Sequence, residues 1–413
     1  MTPKDRLTQL RVSGLRLVEG LELDLAGLTV LIGDNGTGKS TVLEALALLR
    51  SAAEPGDFGN AVLDRDHGPF RELLGRTGAL ELGVTVEGDG EPLRYDVRFE
   101  LAGAACVLDR ESLATVSASG VATAVLQHTR QELRLRDPAT GALKGAPLVG
   151  PATLALGYAA NSLSAHPELV RLSRALRGIE VQPPLDVRPL WQQREVQNRT
   201  GPRWPARPDT FERVQRYGTG LPSAFAVIRN ERDRWQRLVD RARAAVGVDL
   251  DDIQLVPAGS GELDVVLKFR GGAARPLRVM SEGQVAYLGL LAMVELGQGR
   301  TLLALDEPDV HLHPELAVNL VQILEELGAS CPVVVATHSD RLLDGLSDPA
   351  AEAVLCEVGS EGVAVMRRPN PATLDALLES HRGLGDLRAA GLGAHAFDDG
   401  RLLAAPPDGG DGP

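Results

Sequence analysis

An α/β fold with a mixed sheet is predicted by three observations: buried apolar runs of strand length, amphipathic segments of helix length that alternate with them, and glycine-marked turns between the two. The runs at residues 28–32 (LTVLI), 302–305 (LLAL) and 332–336 (PVVVA) carry almost no polar residue, as expected of parallel strands covered on both faces. A second pattern, apolar against polar at alternate positions, fills LELGVTVEG, LRYDVRFELA and ELRLR between about 80 and 136. It predicts a series of antiparallel strands.

Taken in order, residues 7–32, broken at Gly14, Gly20 and Gly27, predict two or three strands, followed by a glycine-rich loop and a helix from Lys39 to Ser51. The antiparallel series is then a β-rich flank of an N-terminal lobe spanning 1–160. Residues 161–247 change character, becoming Arg-rich and helix-favouring, with Pro183, Pro184, Pro189, Pro202, Pro205 and Pro208 marking an irregular passage. Within this inserted helical subdomain, 221–246 reads as one long amphipathic helix carrying Phe225, Ile228, Trp235, Leu238 and Ala245. A C-terminal lobe, 248–400, holds strands at 253–256 and 263–269, a helix at 281–296, the strand at 302–305, a helix at 314–327 and the strand at 332–336. Residues 401–413, ending APPDGGDGP, read as a disordered tail.

Composition narrows the function. A chain of 413 residues that is 44% hydrophobic has no need of the disulfides or metals that staple small scaffolds. Its 43 Lys and Arg against 56 Asp and Glu give a net charge of −13, which excludes a globally basic surface, so any polyanion must be held locally. Lysine occurs only at Lys4, Lys39, Lys144 and Lys268, and arginine supplies the remaining cations. Cys106, Cys331 and Cys356, widely spaced and odd in number, fit reduced thiols rather than a disulfide framework or zinc site. The N-terminus lacks the apolar core of a leader and no run of ~18 apolar residues occurs, which predicts a cytoplasmic protein that does not engage a membrane.

The strongest local signal is Gly33-Asp34-Asn35-Gly36-Thr37-Gly38-Lys39-Ser40, a complete G-x-x-x-x-G-K-[ST] between a strand and a helix, with Thr41 next in the first turn. Glycines let backbone N–H groups wrap phosphates, the helix N-terminus favours their charge, Lys39 reaches the terminal phosphates and Ser40 suits Mg²⁺. Arginine's broad fork fits such a cradle poorly, so a lysine here in an arginine-dominated chain points to shape. The candidate ligand is ATP with Mg²⁺ on a P-loop NTPase fold. The second signal, at the end of the 302–305 strand, is Asp306-Glu307-Pro308: Asp306 is placed to hold Mg²⁺, and Glu307 to orient and deprotonate an attacking water, the division of labour that phosphoryl transfer needs.

Two more pieces follow the same logic. Met280-Ser281-Glu282-Gly283-Gln284 opens a helix 25 residues before Asp306 and offers a second phosphate-binding N-terminus through Ser281, Gly283 and Gln284. The strand at 332–336 ends in Thr337-His338, a histidine able to contact a γ-phosphate, 32 residues after Asp306. Walker A, signature, Walker B and switch histidine in this order resemble an ABC-type ATPase head. The resemblance implies catalytic roles for Glu307 and His338 and a head-to-tail dimer with ATP between one subunit's Walker A and the other's signature. Because 242 residues separate Ser281 from Lys39, and DEPDVHLHP lacks the transporters' Ser-Ala-Leu-Asp, the chain is more similar to soluble SMC/RecF/OLD-like ATPases than to transporter subunits. Those single-head AAA family members serve bacterial anti-phage and DNA-maintenance systems. The motif-bearing resemblance covers about residues 7–50 and 275–345.

Departures from the pattern shape the expectations. Met280 and Glu282 replace the usual Leu and Gly of the signature, and His313 stands where transporters carry an Asp. After His338 no clustered Glu and Asp-x-Asp motif of a Toprim nuclease occurs, so an effector such as a nuclease is expected on a separate chain. Gln127 and Gln131 are the candidates for the Q-loop glutamine. His311 and His313 form an H-x-H pair, better explained by their position after Walker B than by metal ligation. Between Asp186 and Arg243 stand 13 Arg against 7 acidic residues; Arg229, Arg232, Arg234, Arg237 and Arg241 are either a solvated, ion-paired face or a contact surface for DNA or RNA. Alternatives are a transporter's nucleotide-binding subunit and a DNA-binding structural protein in which ATP is only a conformational ligand.

Overall fold

A computed structural model describes residues 5–157, 166–193, 200–209 and 213–404. The strand order of its main sheet explains why two hydrophobic patterns were legible. Five parallel strands lie side by side: Ile179–Gln182, Leu302–Asp306, Val333–Thr337, Leu28–Ile32 and Ala353–Val358. From Ala353–Val358 onward every pairing is antiparallel, through Ala364–Arg367, Leu402–Ala404, Leu21–Asp24 and Arg6–Ser13 into a meander from Ala79–Gly88 to Leu143–Ala146. The sheet is therefore mixed, with a β-rich flank, as the sequence predicts.

In the parallel half both faces are covered, so alternate residues of one strand enter different cores. Leu31, Leu302, Ala304, Val334 and Ala336 pack on the side of the helix Lys39–Ser51. Their neighbours Val30, Ile32, Leu303, Leu305, Val333 and Val335 pack on the side of the helices Glu282–Glu295 and Pro314–Gly328. In the meander, a buried network closes one end: the carboxylate of Glu111 accepts hydrogen bonds from the Tyr95 hydroxyl (3.0 Å), the Ala155 N–H (2.7 Å) and the Leu156 N–H (2.9 Å), and contacts His128 Nδ1 at 3.0 Å.

Three expectations change. The span read as one helix over 221–246 is two, Leu221–Arg229 and Arg232–Val246, because Glu231 is extended (φ −111°) and caps the second. Phe225, Ile228 and Leu238 are buried, and the Trp235 ring packs edge-on against Phe225, their centroids 6.0 Å apart. The insert assigned to 161–247 also contains Ile179–Gln182, the outermost strand of the parallel half; a four-residue run beside helical sequence is too short to stand out by periodicity. Finally, the tail assigned to 401–413 begins too early. Leu402–Ala404 is a strand between Ala364–Arg367 and Leu21–Asp24, because its apolar run buries Leu403 and Ala404. Residues 405–413 lie outside the described residues. Strands Leu250–Gly259, Glu262–Phe269 and Ala274–Pro276 form a separate small antiparallel sheet. Among the described residues no helix is long and apolar enough to cross a membrane.

Candidate nucleotide-binding site

The loop Gly33 to Gly38 takes its shape from its glycines. A Cβ on Gly33 would collide with the Cys356 carbonyl of the adjacent parallel strand, and Gly38 precedes the helix at φ 94°, a left-handed conformation that side chains disfavour. Lys39 is buried within this loop: its Nζ donates to the carbonyls of Gly33 (2.7 Å) and Asp34 (2.8 Å). The Thr37 hydroxyl donates to the Asp34 carbonyl at 2.9 Å. Asp34, Asn35 and Gly36 form the exposed crest of the loop, and Ser40 is exposed while Thr41 is buried in the first helical turn.

The strand Leu302–Asp306 delivers its carboxylates beside this loop. Ser40 and Asp306 line the same groove, so the two motifs meet at one place. Burial, and then the negative charge of Glu307, push the Asp306 carboxyl above its ordinary range, against the opposing pull of Lys39 and Ser40. Glu307 has φ 45°, sparsely populated for a non-glycine residue, and its N–H donates to Ala336 O at 2.8 Å. Its carboxylate meets His338 Nδ1 at 2.7 Å, and that contact raises the pKa of the imidazole, first by hydrogen bonding and then by charge. Thr337 donates to Asp309 Oδ1 at 2.7 Å, fixing the segment after Glu307 to the same strand end.

Ser281 caps the helix Glu282–Glu295 in a reciprocal box with Gln284: Gln284 N–H donates to Ser281 Oγ and Ser281 N–H to Gln284 Oε1. Gln284 Nε2 also donates to Ala245 O, 3.1 Å away on the insert helix. A Cβ on Gly283 would lie 2.6 Å from His311 O, so this helix start and the segment after Walker B touch through a glycine. Ser281, Gly283 and Gln284 make no hydrogen bond to the Gly33–Ser40 loop among the described residues, whereas Ser40, Asp306, Glu307 and His338 form one contiguous group. His311 Nδ1 faces Glu282 at 3.0 Å, and among the described residues no group of three or more metal-ligating side chains occurs.

Two residues escaped the sequence reading. Gln127 lies in the meander, opposite Ser112 and Arg134, and Gln131 lies in the turn after Thr129, so neither reaches the site. Gln182 does: it ends the strand next to Leu302–Asp306 and lines one groove with Ser40 and Asp306, and a narrow cleft with Asp306 and Glu307. The signal was a short strand, Ile179-Glu180-Val181-Gln182, stopped by Pro183-Pro184. Arg16, at φ 53°, forms a fork with Glu44 (2.7 and 3.1 Å). Burial pushes the Glu44 carboxyl up, but hydrogen bonds from His67 and Arg16 outweigh it and hold it at about 2.

The groove, of about 1760 Å³, follows the face of the helix Lys39–Ser51 that carries Ser40, Glu44, Ala47 and Arg50. It exceeds the roughly 300–1,000 Å³ typical of small-ligand pockets. Arg16, Arg50, Arg174, Arg177, Arg213 and Arg216 line it. The five arginines singled out between 229 and 241 are placed differently. Arg237 (2.9 Å) and Arg241 (3.2 Å) both bind Glu295, Arg241 also binds Glu326, and Arg234 pairs with Glu231 at 3.0 Å. Arg229 lies over the Trp235 ring at 5.3 Å and near Asp252 at 3.7 Å. Arg232 is exposed.

Comparison with known proteins places this geometry. The family described as "AAA domain, putative AbiEii toxin, Type IV TA system" matches residues 28–105 and 178–344. The chain is 31% identical over 141 residues to the DNA replication and repair protein RecF of Magnetococcus marinus, a match covering 34% of this chain and 35% of that protein. The chain thus spans about a third of the length of this curated relative. Among solved structures, an SMC head bound to the C-winged helix domain of ScpA superposes with a TM-score of 0.50 at 13% identity, covering 87% of this chain and 96% of that one. It shows the shared fold. The SMC head domain from Thermotoga maritima gives a TM-score of 0.43 at 13% identity, covering 88% and 99%.

Proposed function

The chain belongs to this AAA-domain family, and on that premise we propose that it is an SMC/RecF-like ABC-type ATPase that binds and hydrolyses ATP as a head-to-tail dimer. Dimer closure is coupled to a nucleic acid or an effector chain, in phage defence or DNA maintenance. The observation that carries the reading is that Ser40 and Asp306 line one groove, which brings the phosphate loop and the carboxylate pair into one site. Glu307 and His338 adjoin it.

The triphosphate takes the hollow now occupied by Lys39, whose Nζ exchanges the Gly33 and Asp34 carbonyls for phosphate oxygens. Ser40 and Asp306 suit Mg²⁺: a hydroxyl and a carboxylate are the oxygen donors it prefers, and the crowding that raises the Asp306 pKa would be relieved by a cation. When bound, that ion neutralises charge developing on the phosphate oxygens. Glu307 accepts the proton of the attacking water as its oxygen bonds to the γ-phosphorus. The bridging P–O bond breaks, leaving ADP and phosphate. Ser281 is exposed and the signature helix start stands apart from the Gly33–Ser40 loop, which supports completion of each site by a second copy.

For a nucleic-acid partner, the groove arginines, four of which (Arg174, Arg177, Arg213 and Arg216) themselves lie in the 161–247 insert, are better candidates than Arg229, Arg234, Arg237 and Arg241. Arg229, Arg234, Arg237 and Arg241 are engaged with the protein's own acidic or aromatic residues.

Replacement Glu307→Gln should retain ATP binding, reduce turnover by at least about a hundredfold and trap a dimer detectable by light scattering. Turnover at the unsubstituted rate would remove Glu307 as the base. Binding without a dimer would remove the sandwich.

A further inference from the structure

Beside the nucleotide site runs a buried polar chain that phosphate chemistry does not itself require. Gln182 Nε2 donates to Glu180 Oε1 at 3.0 Å and to Val214 O at 2.8 Å. Because both partners are acceptors, the amide orientation is fixed. Glu180 Oε2 in turn binds Arg300 at 2.7–2.8 Å, and Arg300 Nη2 donates to the carbonyls of Met293 (2.7 Å) and Leu296 (3.1 Å). These carbonyls belong to the C-terminal end of the helix Glu282–Glu295, whose other end carries Ser281, and to its cap. Glu180 and Arg300 are each 2% exposed and Gln182 is 4% exposed.

An ion pair so buried contributes little net stability, because desolvation offsets the attraction. It does hold two elements in one register. Gln182 Oε1, by contrast, is buried with no hydrogen-bond partner among the described residues. An orphaned buried acceptor is costly, so this placement of the amide is held against a bias to move.

We propose that Glu180 and Arg300 are positioning residues for Gln182: they set where its amide stands at the nucleotide site and tie that position to the C-terminal end of the signature helix. This rests on the reading of the site as an ATPase. Gln182 lines the groove shared by Ser40 and Asp306, so a shift of its amide alters the surroundings of the terminal phosphate. A displacement of about 1 Å near reacting groups can change a rate a hundredfold.

The test uses the full chain and ATP with Mg²⁺. Glu180→Gln is isosteric and leaves Gln182 a weaker, neutral acceptor; kcat should fall at least about threefold with KM unchanged. Glu180→Leu with Arg300→Met removes both charges together and should lower kcat about tenfold or more. In a Gln182→Ala background both changes should lose no further rate, because their effect runs through that amide. Unchanged kcat in Glu180→Gln, or losses that multiply with Gln182→Ala, would overturn the proposal while leaving unsubstituted turnover intact. Absence of hydrolysis by the unsubstituted protein would instead defeat the ATPase reading, and with it the positioning role.

Discussion

His338 Nδ1 stands 2.7 Å from Glu307 Oε2, and the backbone N–H of His338 reaches the same oxygen at 3.3 Å. One oxygen of the proposed base is thus held twice by a single residue. This contact raises the His338 pKa. A cation gaining a partner on folding contributes stability below its unfolded pKa, and the contribution disappears as pH rises through the elevated folded value. By NMR titration of the imidazole, His338 should remain protonated above the ordinary histidine range, and Glu307→Gln should return it towards that range. An unchanged midpoint in the variant would show that Glu307 is not the cause.

Asp306 offers the opposite case, a carboxyl raised by burial and by Glu307. Its charge opposes folding once it ionises, so Asp306→Asn should raise the melting temperature without nucleotide while abolishing Mg²⁺-dependent hydrolysis. In the unsubstituted protein, Mg²⁺-dependent ATP binding should weaken on acidification at a higher pH than an ordinary carboxylate would dictate. Calorimetric titration across pH checks the second point, and thermal unfolding the first.

Glu111 is fully buried and meets two backbone N–H groups, a tyrosine hydroxyl and a histidine. Glu111→Ala strands these groups and should cost about 3–5 kcal/mol by urea unfolding. ATP affinity of the folded fraction should not change, because the network lies in the meander.

Arg237 and Arg241 converge on Glu295, whose side chain is 5% exposed. Replacing both with Met leaves that carboxylate unpaired and should destabilise the protein by about 3 kcal/mol. Single-stranded DNA binding, followed by anisotropy at several salt concentrations, should survive this change. It should weaken, with a shallower salt slope, in Arg50→Glu with Arg174→Glu. The reverse pattern would return the contact surface to the Arg232–Val246 helix.

The phosphate loop, the carboxylate pair and the histidine were legible in the sequence because each follows a strand whose side chains are buried on both faces, as in Leu28–Ile32 and Val333–Thr337. Gln182 was not, since four residues are too few to reveal a period and its neighbour in the sheet, Leu305, is more than a hundred residues away. The break at Glu231 was hidden for another reason: the apolar stripe continues across it, and only the backbone turns. Arginine counts were legible but their use was not, because the acidic partner Glu295 lies on another helix.

The strand Leu28–Ile32 lies between Val333–Thr337 and Ala353–Val358, both from the last fifth of the chain. During synthesis the phosphate loop therefore emerges long before either flanking strand exists, and Leu402–Ala404, which bridges to Leu21–Asp24, comes later still. Contacts so distant in sequence form slowly. A nascent chain paused anywhere before the Val333–Thr337 strand displays its phosphate-loop strand as an unsheltered edge. Ribosome-attached fragments should therefore resist proteolysis only once that late strand has cleared the exit tunnel.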